Sequence, residues 1–287
     1  MNNTINLENA HHVTLPNGLC AMLCHTPEAS ESFVSMAVRA GHFYDPNDCQ
    51  GLAHLLEHML FMGSRHLPKP NAINGFIEQH GGTINAWTGT EYANYHFSCS
   101  GGALAQTLPA FADMLRQPLF EEDALTNEIK NIHAEFEFKK KDDLRRLYQI
   151  HKETCNPHHP FAKFSVGNSD TFSQHECAEL KHRLKSLHQT YYCALNMRLC
   201  IASPMPTPQL EALIHQCFGT LPSGELAPDN WPPLYTENEL GIQINIHPLQ
   251  SAKRMIVTFA LPALQNDYKT KPLNYISHLI GDEGEGS

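Results

Sequence analysis

Apolar and polar positions along this 287-residue chain follow two periods, and the period changes with position. Residues 11–15 and 19–24 are apolar runs on either side of Pro16-Asn17-Gly18, a turn signal that predicts a short hairpin. Residues 33–39 form a third strand-like run. The turn Asp45-Pro46-Asn47-Asp48 follows, and Asp48 is placed to cap a helix from about 49 to 62 that Gly63 would stop. Pro70 opens a second helix that ends at Gly81-Gly82. Strands are expected at 83–88 and 93–99. The second alternates Ala93, Tyr95, Phe97 and Cys99 with Asn94, His96 and Ser98, which makes Tyr95 and Phe97 core candidates.

From Gly102 the period becomes helical. Leu104, Leu108, Phe111 and Leu115 share one face. Long helices are expected at 122–141 and 144–154, then a Pro-, Gly- and His-rich loop at 156–168, a helix, a strand at 197–202 and a helix at 208–217. Strands and helices come in blocks, which predicts an α+β fold: a mixed or antiparallel sheet with helices packed on one face. Pro222, Pro228, Pro232 and Pro233 break the pattern. The expected organisation is one domain over 1–225, a linker over 226–241, and the opening of a second domain over 242–287. That opening holds strands at 242–247 and 255–261 and a helix start near Asn274.

Composition narrows the function classes. With 41% hydrophobic and 17% charged residues, the chain has material for a core and is not collagen-like, coiled-coil or disordered. Twenty Lys and Arg against 30 Asp and Glu give a net charge of −10, so no nucleic-acid partner is expected. No apolar run approaches the ~18 residues of a membrane span, so no membrane partner is expected either. Residues 1–16 show no signal peptide, which makes the cytoplasm the expected compartment, or the periplasm if the start is a processed one. The nine cysteines contain no Cys-x-x-Cys pair and read as reduced, mostly buried thiols. Nineteen histidines point towards a metal site.

The informative segment is Gly51-Leu52-Ala53-His54-Leu55-Leu56-Glu57-His58-Met59-Leu60-Phe61. On a helix, His54 and His58 lie one above the other and can offer two imidazoles to one tetrahedral ion. Glu57 sits beside them, in the H-x-x-E-H order of the inverted zinc signature. A metal lowers the pKa of a bound water, and a nearby carboxylate can take its proton. Spacing alone does not choose a third ligand among Glu128, Glu135 and Glu137.

Six segments, GLAHLLEHMLFMGS, HGGTINAWTGTEYANYHF, EIKNIHAEFE, NPHHPFAKFSVGN, YYCALNMRLCI and HLIGDEGEGS, together resemble the insulinase/pitrilysin family of zinc metallopeptidases over almost the whole chain. The resemblance implies a fold like that of mitochondrial processing peptidase and one Zn²⁺ per catalytic domain. It implies hydrolysis of oligopeptides or unfolded segments by a metal-activated water. His54, His58 and Glu135 would be the zinc ligands and Glu57 the general base. Glu128 would orient a ligand histidine. Asn85, Ala86 and Trp87 would form the edge strand on which a peptide substrate adds by backbone hydrogen bonds. Arg145 stands where relatives place an aromatic near the substrate, with Tyr148 one turn on, and Lys139-Lys140-Lys141 reads as a solvated helix end. The family's fold is built from two halves of two domains each. This chain is therefore expected to be an N-terminal fragment whose partner is the missing C-terminal half, binding zinc but cleaving poorly alone. HAEF also resembles the peptidase of pyrroloquinoline quinone biosynthesis, so a precursor-maturation peptidase is an alternative, as is a non-catalytic scaffold subunit.

Overall fold

The computed structural model describes residues 10–249, 253–262, 264–282 and 284. Six strands form one mixed sheet: β1 (His11–Thr14), β2 (Cys20–His25), β3 (Glu31–Val38), β4 (Ile84–Thr88), β5 (Ala93–Ser100) and β6 (Met197–Ser203), in the order β1-β2-β6-β3-β5-β4. Only β2 and β6 run parallel; the other neighbours are antiparallel. The register puts Met36 opposite both Tyr95 and Leu199, and Tyr95 opposite Ala86. Residues opposite one another share a face. Ala21, Leu23, Met36, Val34, Tyr95, Phe97, Leu199 and Ile201 are buried on one face of the sheet, as the alternation in β5 requires.

Against that face pack α1 (Leu52–Leu60), α2 (Ala72–Gln79), α3 (Leu104–Arg116) and α8 (Thr207–Phe218); α4 (Glu122–Lys139) and α7 (Cys177–Tyr191) pack on α1 and on each other, with the shorter α5 (Asp143–Glu153) and α6 (Ser169–Phe172) beside them. Leu52, Leu55, Leu56 and Met59 of α1 join Leu104, Leu108, Phe111 and Leu115 of α3 in one core. The fold is α+β. All nine cysteines are free thiols, and six of them are buried. No described helix is long and apolar enough to cross a membrane.

The chain divides into two compact units, Met1–Leu249 and Gln250–Ser287. The proline-rich stretch expected as a linker lies along the first unit. Ala227 N–H donates to Asn196 Oδ1, Tyr44 Oη donates to Pro228 O, and Asn156 Nδ2 donates to Pro233 O. Trp231 packs against Phe43 and Tyr44. Among the described residues, 242–247 and 255–261 form no strand. A lone strand has no ladder partner for its amides, and none is in place here. The second unit holds α9 (Pro272–Gly281), which buries no residue; Met255, Phe259, Tyr275 and Ile280 are exposed. Residues 250–252, 263, 283 and 285–287 of the expected second-domain opening lie outside the described residues.

Candidate metal centre

The geometry begins with the start of α1. Gly51 holds φ at 91°, and a Cβ there would run into the backbone of Gly167, so only glycine fits. The cap expected from Asp48 comes instead from Asp45, whose two carboxylate oxygens accept from Gly51 N–H at 2.8 Å and Ala53 N–H at 2.7 Å. Asp48 points outward and pairs with Arg183 at 2.8 Å. Asp45 is buried, and burial pushes its carboxyl up to about 7 against the pull of those two amides and of Lys163 and Lys152.

The same turn also holds the bend between β4 and β5. Amides of Gly41, His42 and Phe43 donate to the carbonyls of Glu91, Gly89 and Thr90. His42 Nδ1 donates to Gly89 O at 2.9 Å, and the fully buried Lys152 ammonium approaches His42 Nε2 at 3.3 Å. Burial, with Lys152 beside it, lowers His42 to about 3, so the ring is neutral. One short turn thus fixes both the start of α1 and the end of β4.

On α1, His54 and His58 stand with ring centroids 4.8 Å apart. Each Nδ1 has an acceptor: Val166 O at 2.7 Å for His54, and Glu128 Oε2 at 2.9 Å for His58. Those bonds place the protons on Nδ1 and leave both Nε2 lone pairs free. Both Nε2 atoms face Glu135 Oε2, each at 3.7 Å. Four-coordinate zinc with arms of ~2.0–2.2 Å sets neighbouring ligand atoms ~3.3–3.6 Å apart. The donor set therefore fits, and ligand atoms of His54, His58 and Glu135 all lie within 4.8 Å of one another.

The packing of α4 across α1 separates the three glutamates. Glu128, 5% exposed, lies under His58 and accepts from Asn131 Nδ2 with its other oxygen. Glu135, two turns on, reaches the histidines. Glu137 points away and pairs with Lys140. Glu57, beside the two histidines on α1, accepts from Thr88 Oγ1 at its Oε2. Thr88 can do so because it shares the core-facing side of β4 with Ala86, beneath α1.

Charges here are mutually dependent. Burial, then the neighbouring His58, lowers His54. Burial alone would lower His58 too, but the hydrogen bond to Glu128 and the surrounding carboxylates outweigh it. Burial raises Glu57 above the ordinary carboxylate range. For Glu135, the bond to Lys139 and the charge of His54 outweigh burial and hold it below that range.

Among the described residues, β4 is an edge of the sheet, paired with β5 alone. Asn85 and Trp87 lie on its open face, Trp87 with half its surface exposed, while Ala86 packs towards the core. Asn85 Oδ1 accepts from Ala86 N–H at 2.9 Å. Three contributors escaped the sequence reading: Asp45, Thr88 and Lys139. Only Lys139, one turn beyond Glu135, carried a signal in its spacing.

Residues 21–162 match the family model described as Insulinase (Peptidase family M16), and residues 181–287 match Peptidase M16 inactive domain. The chain is similar to the A-factor-processing enzyme of Saccharomyces cerevisiae, at 32% identity over 96% of this chain and 27% of that protein. It is similar to insulin-degrading enzyme of Bos taurus, at 33% identity over 95% of this chain and 27% of that protein. A crystal structure of pitrilysin superposes with a TM-score of 0.75 and 30% identity, covering 83% of this chain and 26% of that one. The chain thus spans little more than a quarter of the length of these relatives.

Proposed function

The chain belongs to the insulinase family of peptidases, family M16, and from that membership and the site geometry we propose that it carries the zinc centre of a peptide-bond hydrolase. The observation that supports this reading best is the convergence of His54 Nε2 and His58 Nε2 on one oxygen of Glu135. His54, His58 and Glu135 would hold Zn²⁺. When bound, zinc supplies Lewis-acid polarisation of a water and of the scissile carbonyl.

The remaining work belongs to the chain's own groups. Glu128 and Val166 O hold the two imidazoles in the tautomer that leaves Nε2 free. Thr88 occupies Glu57 Oε2, so the attacking water gives its proton to Oε1. As the water oxygen bonds to the carbonyl carbon and the C–N bond breaks, Glu57 passes that proton to the leaving nitrogen. Burial raises Glu57 and makes it a better base than a solvated carboxylate. The edge strand β4, with Asn85, Ala86 and Trp87, offers backbone groups on which an extended peptide can add. That mode suits flexible peptides, because main-chain bonds do not depend on side-chain identity.

The catalytic groups all fall within the first compact unit, and the rest of the relatives' length would supply the other walls of the substrate chamber. The test is zinc content and cleavage of a fluorogenic peptide, measured on this chain and on the full-length protein. Parent protein should bind one zinc and His54→Ala none. Glu57→Gln should keep the zinc and abolish the full-length protein's cleavage. Equal zinc in parent and His54→Ala, or unchanged cleavage in Glu57→Gln, refutes the reading.

A further inference from the structure

Lys139 ends α4, one turn beyond Glu135. Its ammonium donates to Glu135 Oε1, the oxygen that the two histidines do not face. The carboxylate is thereby divided: Oε2 lies 3.7 Å from both Nε2 atoms, and Oε1 belongs to Lys139. The Lys139 side chain is about one-third exposed, so the pair is partly shielded from water. Its charge also reaches His54 and Glu57. Lys140, the next residue, behaves as an ordinary surface lysine and pairs with Glu137.

We propose that Lys139 is a positioning residue for the third ligand: it restricts Glu135 to a single donor oxygen and weakens the hold of this chain on a divalent cation. The proposal rests on the metal-centre reading above. Two physical consequences follow from the ammonium's place. A carboxylate with one oxygen taken can give a metal only the other, which keeps the coordination number low. A positive charge beside a dication is repulsive, and it also stabilises the metal-free carboxylate. Both effects act against metal affinity.

The test uses zinc itself and cobalt as a spectroscopic stand-in. The zinc dissociation constant is measured by competition with a chromophoric chelator, and the visible absorption of the Co²⁺-loaded chain is recorded, for parent, K139M, K139Q, K139R and H54A. K139M and K139Q should bind zinc about tenfold more tightly than parent. Their cobalt bands should weaken per ion, because a two-oxygen carboxylate raises the coordination number. K139R keeps the charge and should stay within about twofold of parent on affinity. Zinc affinity of K139M and K139Q within about twofold of parent, with unchanged cobalt spectra, overturns the proposal. In that case loss of metal by H54A leaves the metal centre standing. Equal metal binding by parent and H54A would instead overturn the centre itself.

Discussion

Replacing Asp45 by alanine tests whether one buried carboxylate starts α1. Asp45 accepts from Gly51 N–H and Ala53 N–H, at 2.8 and 2.7 Å, in a site closed to solvent. Without it both amides lose their acceptor, and a buried donor without a partner costs about 1–3 kcal/mol. The loss of an anion at a helix N-terminus adds up to ~2 kcal/mol. Relief of burying a carboxylate whose pKa is pushed up to about 7 opposes this. That relief is about 4 kcal/mol, so the expected net loss for Asp45→Ala is about 2 kcal/mol. Asp45→Asn keeps one acceptor oxygen and should lose about half as much. The assay is urea unfolding at constant slope, joined by amide exchange at Gly51 and Ala53, which should speed up before the rest of α1 does. Asp48→Ala is the control, since its partner Arg183 lies on the surface. If Asp48→Ala destabilises as much as Asp45→Ala, or if Gly51 and Ala53 exchange as in parent, the reasoning is refuted.

Glu128→Gln should weaken zinc binding about 10–100-fold, since an amide holds the His58 tautomer less firmly than a carboxylate does. Chelator competition measures it, and a parent-like affinity would show that Glu128 does not orient His58. His42, lowered to about 3 from the usual 6.5, stays neutral in the fold while the unfolded chain takes a proton. Its stabilising contribution is complete above pH 6.5 and is lost as pH falls towards 3, by about 1 kcal/mol per pH unit. His42→Gln should flatten that part of the stability curve; equal slopes in both proteins would count against it. Ending the chain at Leu249 should leave the unfolding midpoint of the first unit unchanged, because among the described residues every buried apolar side chain lies in that unit. A drop in midpoint or a loss of cooperativity would show that 250–287 supports it.

Much of this was legible in the chain because the strands are amphipathic. The alternation from Ala93 to Cys99 gives both the extent of β5 and its buried side, and the apolar residues around His54 and His58 give α1. What spacing does not carry is the partner across space. Asp48 stands nearer to α1 in sequence, but Asp45 turns inward through the short turn at 42–44 and takes the amides. Glu128 and Glu135 share a face of α4 by their separation, yet only the packing of α4 on α1 tells which reaches both histidines. The prolines read as marking a linker over 226–241, whereas Trp231 and the carbonyls of Pro228 and Pro233 find partners elsewhere in the first unit. Lys139 reads as solvated until its ammonium is seen against Glu135.

The order of strands in the sheet sets a timetable for synthesis. β6 lies between β2 and β3, so the hairpin β1–β2 and the block β3-β5-β4 share no direct ladder. Until residues 197–203 leave the ribosome these pieces have no strand to join them, and each keeps an unpaired edge. Closing the sheet brings Cys20 beside Arg198 across more than half the chain, a contact that is slow to form because so much loop must be ordered first. The helix pair that gathers His54, His58 and Glu135 is complete well before that strand arrives. The residues of α1 and α4 are thus synthesised before β6, the strand that joins the two pieces of the sheet.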